Sequence, residues 1–171
     1  DVAVNEVVMV DVDHDSDLDL VVSSEEGTSI WLGLQNFRFA DISSTSAFSD
    51  SPIRSLVPVD LDRDVDIDVV GIDAQGNVGY LENLRHARFR WRPLPETFSA
   101  VTGAQAVRVC EVDGNASWDL VISSDQKTVV MRSATPRPGV IRMISDSTVD
   151  QGASRLFLAD LDNDRFQDAL L

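Results

Sequence analysis

The sequence predicts an all-β protein built from β-propeller blades of four antiparallel strands, and two observations support this fold class. An acidic segment begins at Asp11, Asp60, Glu111 and Asp160, so its starts are 49, 51 and 49 residues apart. A short, largely apolar run rich in Val, Leu and Ile precedes and follows each segment, and such residues favour strands. A period of about fifty residues without helical periodicity is typical of propeller blades.

Each repeat is predicted to contain a strand, the acidic loop, a second strand, a tight turn, a third strand, a loop and a fourth strand. In the first repeat we expect these strands at about 6–11, 19–24, 29–34 and 37–43. Because turn residues separate short apolar runs throughout, a meander of four neighbouring strands is the simplest arrangement for each repeat.

The whole chain is interpreted as a single repeat domain, residues 1–171. Its repeats are placed at about 1–50, 51–100 and 101–150, with a partial repeat at 151–171. The stretches Ser43–Ser55 and Pro93–Gly103 are rich in Ser, Pro and Thr, which indicates connections between blades.

About three and a half repeats do not close a ring. An open stack of blades leaves sheet faces uncovered and strand edges unpaired. We therefore expect either that the segment continues in a longer chain or that copies of it associate.

The charge of the chain excludes one class of function. There are 29 acidic and 14 basic residues, for a net charge of −15, so nucleic-acid binding through phosphate contacts is not expected. No apolar run reaches the 18 residues that a membrane span needs. The single cysteine, Cys110, lies in an apolar stretch and is predicted to be a small buried hydrophobic residue.

The acidic residues are concentrated where the repeats are. Seventeen of the 29 fall in the four acidic segments, at alternate positions. Aspartate is depleted in strands, and like charges about 4 Å apart repel by up to about 4 kcal/mol per pair at an effective dielectric of 20. This pattern therefore predicts that a cation lies among the carboxylates. Four divalent ions would change the net charge from −15 to −7, since each adds +2.

Calcium is the ion that the donor atoms favour. A hard dication takes six to eight oxygen ligands, and a loop with acidic side chains at positions one, three, five and nine can wrap one ion. An EF-hand is excluded because its glutamate at position twelve is replaced here by Val22, Gly71, Ile122 and Leu171. No cysteine pair or histidine pair is present for zinc, and magnesium prefers a stricter octahedron that keeps its waters.

The pattern Asp-x-Asp-x-Asp-x-x-x-Asp followed by an apolar strand resembles the FG-GAP/VCBS repeats, which form the calcium-binding blades of integrin α-chain propellers and of many bacterial secreted proteins. The resemblance covers nearly the whole chain and implies up to four bound calcium ions. It implies side-chain ligands at positions one, three, five and nine, with position seven offering its carbonyl. By loop, these residues are Asp11, Asp13, Asp15 and Asp19 with Asp17; Asp60, Asp62, Asp64 and Asp68 with Asp66; Glu111, Asp113, Asn115 and Asp119 with Ser117; and Asp160, Asp162, Asp164 and Asp168 with Phe166.

The sequence departs from the family at position six, where a glycine is usual. Ser16, Val65, Ala116 and Arg165 stand there instead. A β-branched residue at positive φ is a clear outlier, so Val65 predicts a distorted second loop. The literal Phe-Gly and Gly-Ala-Pro signatures are also absent.

No catalytic constellation is evident in the sequence. The two histidines, His14 and His86, lie in different repeats and are interpreted as exposed loop residues. The three tryptophans either fill space between sheets or form a platform for sugars: Trp31, Trp91 and Trp118. A basic run is interpreted as the solvated face of an edge strand, with a partner site as the alternative: Arg85, Arg88, Arg90 and Arg92.

These observations predict a non-enzymatic, calcium-binding interaction or adhesion module with a protein or carbohydrate ligand. An extracytoplasmic location, whether secreted, periplasmic or at the cell surface, is what the resemblance implies. The alternative is a carbohydrate-binding propeller, or the propeller portion of a polysaccharide-acting enzyme, because fold alone does not decide between these functions.

Overall fold

The structure is a computed structural model that describes residues 2–43, 52–85, 88–94, 97, 100–133, 141–164 and 167–171, apart from the side chains of residues 145 and 146. Within them lie three four-stranded antiparallel sheets and one two-stranded antiparallel sheet. In every sheet the strands are neighbours in the order in which they occur along the chain. The predicted all-β class and the four-stranded blades are confirmed, and a partial propeller is consistent with these sheets.

The strands have the following bounds. Sheet 1 contains β1 (Val4–Val10), β2 (Asp19–Ser24), β3 (Gly27–Leu34) and β4 (Arg38–Asp41). Sheet 2 contains β5 (Arg54–Val59), β6 (Asp68–Ile72), β7 (Val78–Asn83) and β8 (Phe89–Pro93). Sheet 3 contains β9 (Ala104–Cys110), β10 (Asp119–Ser124), β11 (Thr128–Ser133) and β12 (Met143–Val149). Sheet 4 contains β13 (Phe157–Ala159) and β14 (Asp168–Leu170).

The acidic loops occupy the same place in all four sheets. Each loop joins the first strand to the second, and the register across it is identical from sheet to sheet. The residue before the loop pairs with the aspartate at position nine, as Val10↔Asp19, Val59↔Asp68, Cys110↔Asp119 and Ala159↔Asp168. Because this register repeats, all four loops project from the same end of their sheets.

The first-repeat strands lie close to their predicted positions, and the main difference is at β3. This strand begins at Gly27 rather than at residue 29, because Ser24 pairs with Gly27 and the turn between them has only two residues. Gly27 has a φ of 133°, a value that side-chain-bearing residues rarely adopt.

The cores lie between successive sheets. Sheets 1 and 2 enclose an apolar cluster that includes Ile30, Leu81 and Phe89, while sheets 2 and 3 enclose a larger one that includes Ile72 and Leu120. The first strands pack beside one another, β1 with β5, β5 with β9, and β9 with β13. The sheets are therefore arranged side by side with their first strands innermost, as in a propeller.

Trp91 and Cys110, two residues singled out in the sequence, both lie in the core. Trp91 packs against the cluster between sheets 1 and 2, and Gly79 makes room for it, since a Cβ at Gly79 would lie 2.5 Å from Trp91 Cζ2. Cys110 is 6% exposed, and burial raises the pKa of its thiol to about 11, which makes it an unreactive core residue as predicted.

The basic run lies partly on β8, which is an edge strand, as expected. Arg90 Nη2 lies 2.6 Å from Glu82 Oε2, and Arg92 Nε lies 2.9 Å from the same oxygen. Burial raises the pKa of Glu82, but the hydrogen bonds from Arg92 and Arg90 outweigh it, so the pKa is lowered. These two arginines are therefore paired within their own sheet. His86 lies outside the described residues.

Large apolar side chains are exposed on both end sheets. On β1, Val7 is 47% and Met9 66% exposed. In and beside sheet 4, Leu161 is 64% and Leu170 56% exposed. Within the described residues, no helix is both long and apolar enough to cross a membrane.

Candidate metal centre

Each acidic loop brings three carboxylates together, with one oxygen from each lying within 4.8 Å of the other two. Calcium binds oxygens at about 2.3–2.6 Å, so two oxygens on one ion are at most about 5 Å apart. The observed spacing therefore fits a calcium ion. The groups are Asp11, Asp13 and Asp15; Asp60, Asp62 and Asp64; Glu111, Asp113 and Asp119; and Asp160, Asp162 and Asp168.

The loops are held in this shape by hydrogen bonds from their own backbone. In the first loop, the carboxylate of Asp11 accepts from the backbone N–H of His14 at 2.7 Å and of Ser16 at 3.0 Å. Asp15 Oδ1 accepts from the N–H of Asp17 at 2.8 Å. Such turns fix the carboxylates in place, so little further ordering is needed when an ion binds.

The second and third loops repeat this pattern with different residues. Asp60 Oδ2 accepts from the N–H of Val65 at 3.2 Å, and Asp64 Oδ1 accepts from the N–H of Asp66 at 3.0 Å. In the third loop, Glu111 Oε1 accepts from the N–H of Gly114 at 2.6 Å. The longer glutamate thus replaces the aspartate at position one without losing the turn.

The aspartate at position nine ties each loop to its sheet. Asp19 Oδ2 accepts from the N–H of Val12 and Oδ1 from the N–H of Gly33 in β3, both at 2.7 Å. Asp68 bonds in the same way to Leu61 and Asn83, and Asp119 to Val112 and Ser133. In the fourth loop, Asp168 Oδ2 accepts from the N–H of Leu161 at 2.9 Å. In the first three loops this carboxylate therefore connects the start of the loop to the third strand of the sheet.

Burial makes several of these carboxylates reluctant to ionise. Desolvation raises the pKa of Asp68 to about 7 and that of Asp62 to about 6, and neighbouring aspartates add to both shifts. Burial also raises the pKa of Asp13, Asp19 and Asp119. A cation among these groups opposes both causes, because it favours the charged form of every carboxylate it touches.

Three buried side-chain oxygens lack a hydrogen-bond partner among the described residues, and two of them belong to acidic loops, whereas the third, Oγ of Ser23, does not. The two loop oxygens are Oδ1 of Asp60, at position one of the second loop, and Oγ of Ser117, at position seven of the third. An unpartnered buried oxygen costs about 1–3 kcal/mol, so a native structure normally supplies a partner. A metal ion in the loop would be such a partner, which is a second indication that the residues fit one.

The backbone turns sharply at two positions of each of the first three loops. At position four, φ is 63° at His14 and 64° at Arg63. At position six, φ is 75° at Ser16, 85° at Val65 and 59° at Ala116. The expected distortion of the second loop is not seen. Val65 takes the same left-handed conformation as its counterparts, which directs its N–H at Asp60.

Arginine and histidine side chains contact two of the loops, and the sequence did not reveal this. Arg85 Nε lies 2.5 Å from Asp66 Oδ2, and His14 Nε2 lies 3.4 Å from Asp66 Oδ1. In the third loop, Arg132 Nη1 donates to Asp113 Oδ2 at 3.1 Å. The two arginine contacts reduce the negative charge that a bound ion would meet.

The remaining predicted ligands lie as follows. Asn115 Oδ1 accepts from the N–H of Ser117 at 2.7 Å, so the amide takes the structural place of the aspartate at position five. Asp164 donates its N–H to Asp160 Oδ1 and to Asp162 Oδ1. Phe166, with Arg165, lies outside the described residues, so the carbonyl predicted at position seven of the fourth loop stays a prediction.

We predict that Val65→Gly stabilises the protein. Valine at φ 85° is strained by about 1–3 kcal/mol, and glycine removes that strain while making the unfolded chain more flexible. The expected net gain in the free energy of unfolding is about 1 kcal/mol, measured by urea denaturation in excess calcium. Ala116→Gly is the matched control and should gain less, because alanine has no β-branch. If Val65→Gly raised the free energy of unfolding no more than Ala116→Gly does, the proposed strain at Val65 would be contradicted.

Comparison with known proteins agrees with this geometry. Residues 11–71 match the model of a family described as FG-GAP-like repeat, and the match begins at the first acidic loop and ends within β6, after the second. No curated protein matches the chain. The resemblance inferred from the acidic loops is thus confirmed for this segment. Residues 11–71 are thus similar to the FG-GAP-like repeat family.

Proposed function

We propose that this β-propeller-type repeat module binds calcium in its acidic loops and uses the rigid loop face to bind a partner, without catalysing a reaction. The observation that carries the proposal is that each of four equivalent loops brings three carboxylates together, from positions one, three and five in the first two loops and from positions one, three and nine in the last two. The unpartnered Asp60 Oδ1 supports it independently. With about 1 mM free calcium, extracytoplasmic space suits the modest affinity of such sites, so the module acts there.

Calcium would be the structural ion of each blade. The ligands are all oxygen, and the ion would neutralise the half-buried Asp62 and the buried Asp68, whose pKa values are raised to about 6 and about 7. It would also hold the two ends of each loop together. The role of the metal is therefore to stabilise the loops rather than to activate a substrate.

The loop face also carries exposed apolar side chains, which supports a binding role. Leu18 is 57%, Val65 71% and Trp118 39% exposed, and all three belong to acidic loops. Exposed apolar groups beside polar ones are typical of surfaces that bind other molecules. We propose a protein ligand for this face.

A carbohydrate ligand is the second candidate, and the exposed Trp118 favours it. An indole ring offers a flat apolar surface to a sugar ring. Glycan-array binding that is lost in Trp118→Ala would support this alternative. Trp91 is the contrasting residue, because it packs in the core between sheets 1 and 2.

We predict that calcium raises the melting temperature and that the effect is larger at pH 8 than at pH 6. With a Kd of about 0.1 mM and about 1 mM free calcium, each site adds roughly 1.4 kcal/mol, or roughly 3–6 °C. The raised pKa of Asp68 destabilises the metal-free fold as the pH rises from about 4 through about 7, because the carboxylate must then be buried charged. The chelated protein should therefore melt higher at pH 6 than at pH 8.

Differential scanning calorimetry with calcium, with chelator and with magnesium at equal ionic strength measures this. Magnesium should raise the melting temperature less than calcium does. A melting temperature that does not change with chelator would contradict calcium binding.

We predict that the third loop binds calcium most weakly and the first among the most tightly. The first has five aspartates at alternate positions, whereas the third has three acidic residues, so the formal charges are −5 and −3. The ion pair of Arg132 with Asp113 weakens the third further. Refined occupancies from anomalous scattering at limiting calcium give the order.

The variant Arg132→Gln should raise the occupancy of the third loop, whereas Arg142→Gln, which removes an exposed arginine on another segment, should not. If the third site fills before the first, loop geometry rather than charge determines the affinity.

We propose that the exposed apolar end faces are covered, either by further repeats in a longer chain or by a second copy. For the 171-residue chain alone, we predict concentration-dependent association in sedimentation velocity. Met9→Glu places a charge on the exposed face of β1 and should shift the distribution towards the monomer. Phe37→Glu is the control, because Phe37 is fully exposed at the turn between β3 and β4 and lies on no sheet face. A monomer at every concentration would exclude the second copy.

A further inference from the structure

A cavity of about 370 Å³ lies among the first strands of the sheets. Its lining comes from equivalent positions of all four repeats, which are three, five and six residues before the acidic loop. They are Glu6, Arg54, Ser55, Gln105, Ala106, Arg108, Ser154, Arg155 and Phe157. Because the first strands are innermost, the cavity lies where the axis of a propeller would run.

This cavity is separate from the acidic loops. Arg54 begins β5, and the second loop starts six residues later at Asp60. At about 3.3 Å per residue, the two are roughly 20 Å apart along the strand. Arg108 and Phe157, which line the cavity three residues before their loops, are roughly 10 Å from them by the same measure. The lining contains none of the predicted calcium ligands, so a ligand there would not compete with calcium.

Three arginines reach this cavity in a chain whose net charge is −15. Arg54 Nη2 donates to the carbonyl of Ala104 at 2.9 Å, and its Nε is buried without a hydrogen-bond partner among the described residues. Arg108 Nη1 donates to Ser55 Oγ at 3.0 Å and to the carbonyl of Val107 at 2.7 Å. Both guanidinium groups are thus held by neutral oxygens.

Four arginines outside the cavity form ion pairs with carboxylates. Arg85, Arg90, Arg92 and Arg132 each lie within 3.1 Å of an Asp or Glu oxygen. Within the described part of the chain, no such ion pair is made by the three cavity arginines. Their charge is therefore available to an anion that enters the cavity.

The backbone of β5 is irregular next to Arg54, where that side chain reaches the cavity. The pairing of β5 with β6 shifts register between Arg54 and Val57, and Ser55 has a φ of 59°. Its hydroxyl accepts from the N–H of Val107 at 3.0 Å and from Arg108 at 3.0 Å. Bulges and left-handed serines are costly, and they commonly occur where a side chain must be directed into a site.

The rest of the lining indicates what kind of anion fits. Among the described residues that line the cavity, Glu6 is the only carboxylate, so with three arginines the local charge is +2, which suits a singly or doubly charged ligand. Glu6 and Gln105 offer acceptors for hydroxyl groups, and Phe157, which is 56% exposed, offers an apolar face. The volume is at the small end of ligand sites, about one sugar ring with its substituents.

We propose that this axial cavity binds a small hydroxylated carboxylate, of the sugar-acid class. The arginines hold the carboxylate, the polar lining accepts hydroxyl groups, and Phe157 contacts the ring. The site uses none of the acidic-loop residues and does not depend on the identity of the metal.

Galacturonate titrated into the ¹⁵N-labelled protein in excess calcium tests this assignment. We expect shifts of the amide signals of Ser55, Gln105 and Ala106, with an affinity that falls about tenfold in Arg155→Gln, because a charge-assisted hydrogen bond is lost. Arg155 is exposed and outside the strands, so its loss should leave the fold intact. Arg142→Gln, the same change on an exposed arginine outside the cavity, should bind as the unaltered protein does.

Galactose, which lacks the carboxylate, and inorganic phosphate, which lacks the ring, complete the experiment. Both should bind at least tenfold more weakly than galacturonate. Galactose binding as tightly would overturn the role of the arginines, and phosphate binding as tightly would overturn the sugar-acid assignment. The absence of shifts with galacturonate, or an equal affinity in Arg155→Gln and Arg142→Gln, would overturn the site itself.

Discussion

The buried aspartate at position nine is the group on which the rest of the structure depends. Asp19, Asp68 and Asp119 each place one oxygen on the backbone at the start of the acidic loop and the other on the third strand. These side chains are at most 2% exposed, so their carboxylates are removed from water. Burying a charge is costly unless it is compensated, and the cation proposed for the loop would add to the compensation that the two backbone N–H groups give. If the loops bind that cation, fold and metal binding would be linked through this side chain.

Much of the fold followed from the sequence because the repeat is local. Apolar runs on both sides of an acidic loop determine where the first two strands begin and end, and the two-residue turn at Glu25 and Glu26 determines the next hairpin. The three-carboxylate groups of the first two loops could be predicted equally well, since alternate residues of one loop lie close together, whereas those of the last two loops also include the aspartate at position nine. The left-handed backbone of Val65 was harder to predict from the sequence, because its strain is outweighed by contacts that only the folded loop contains.

Some contacts could not be predicted from the sequence, because the two partners are far apart along the chain. Gly33, Asn83 and Ser133 lie 14, 15 and 14 residues after the aspartates that they bond, and no local pattern marks them. The cavity arginines were missed for a different reason. The repeats are equivalent in backbone but not in side chain at these positions, so Arg54, Arg108 and Arg155 share no motif.

Asn83 has a consequence for how the blades come apart. Its side-chain amide is buried and donates to the carbonyl of Val12, in the loop of the preceding sheet, at 2.8 Å, and to the carbonyl of Ile67 in its own loop at 3.2 Å. If the first loop opens, this amide loses a partner at a site that water does not reach, which costs about 1–3 kcal/mol. Sheets 1 and 2 therefore share the penalty of either one unfolding. In a linear array with nearest-neighbour coupling, such a shared penalty lengthens the cooperative unit from one blade to two.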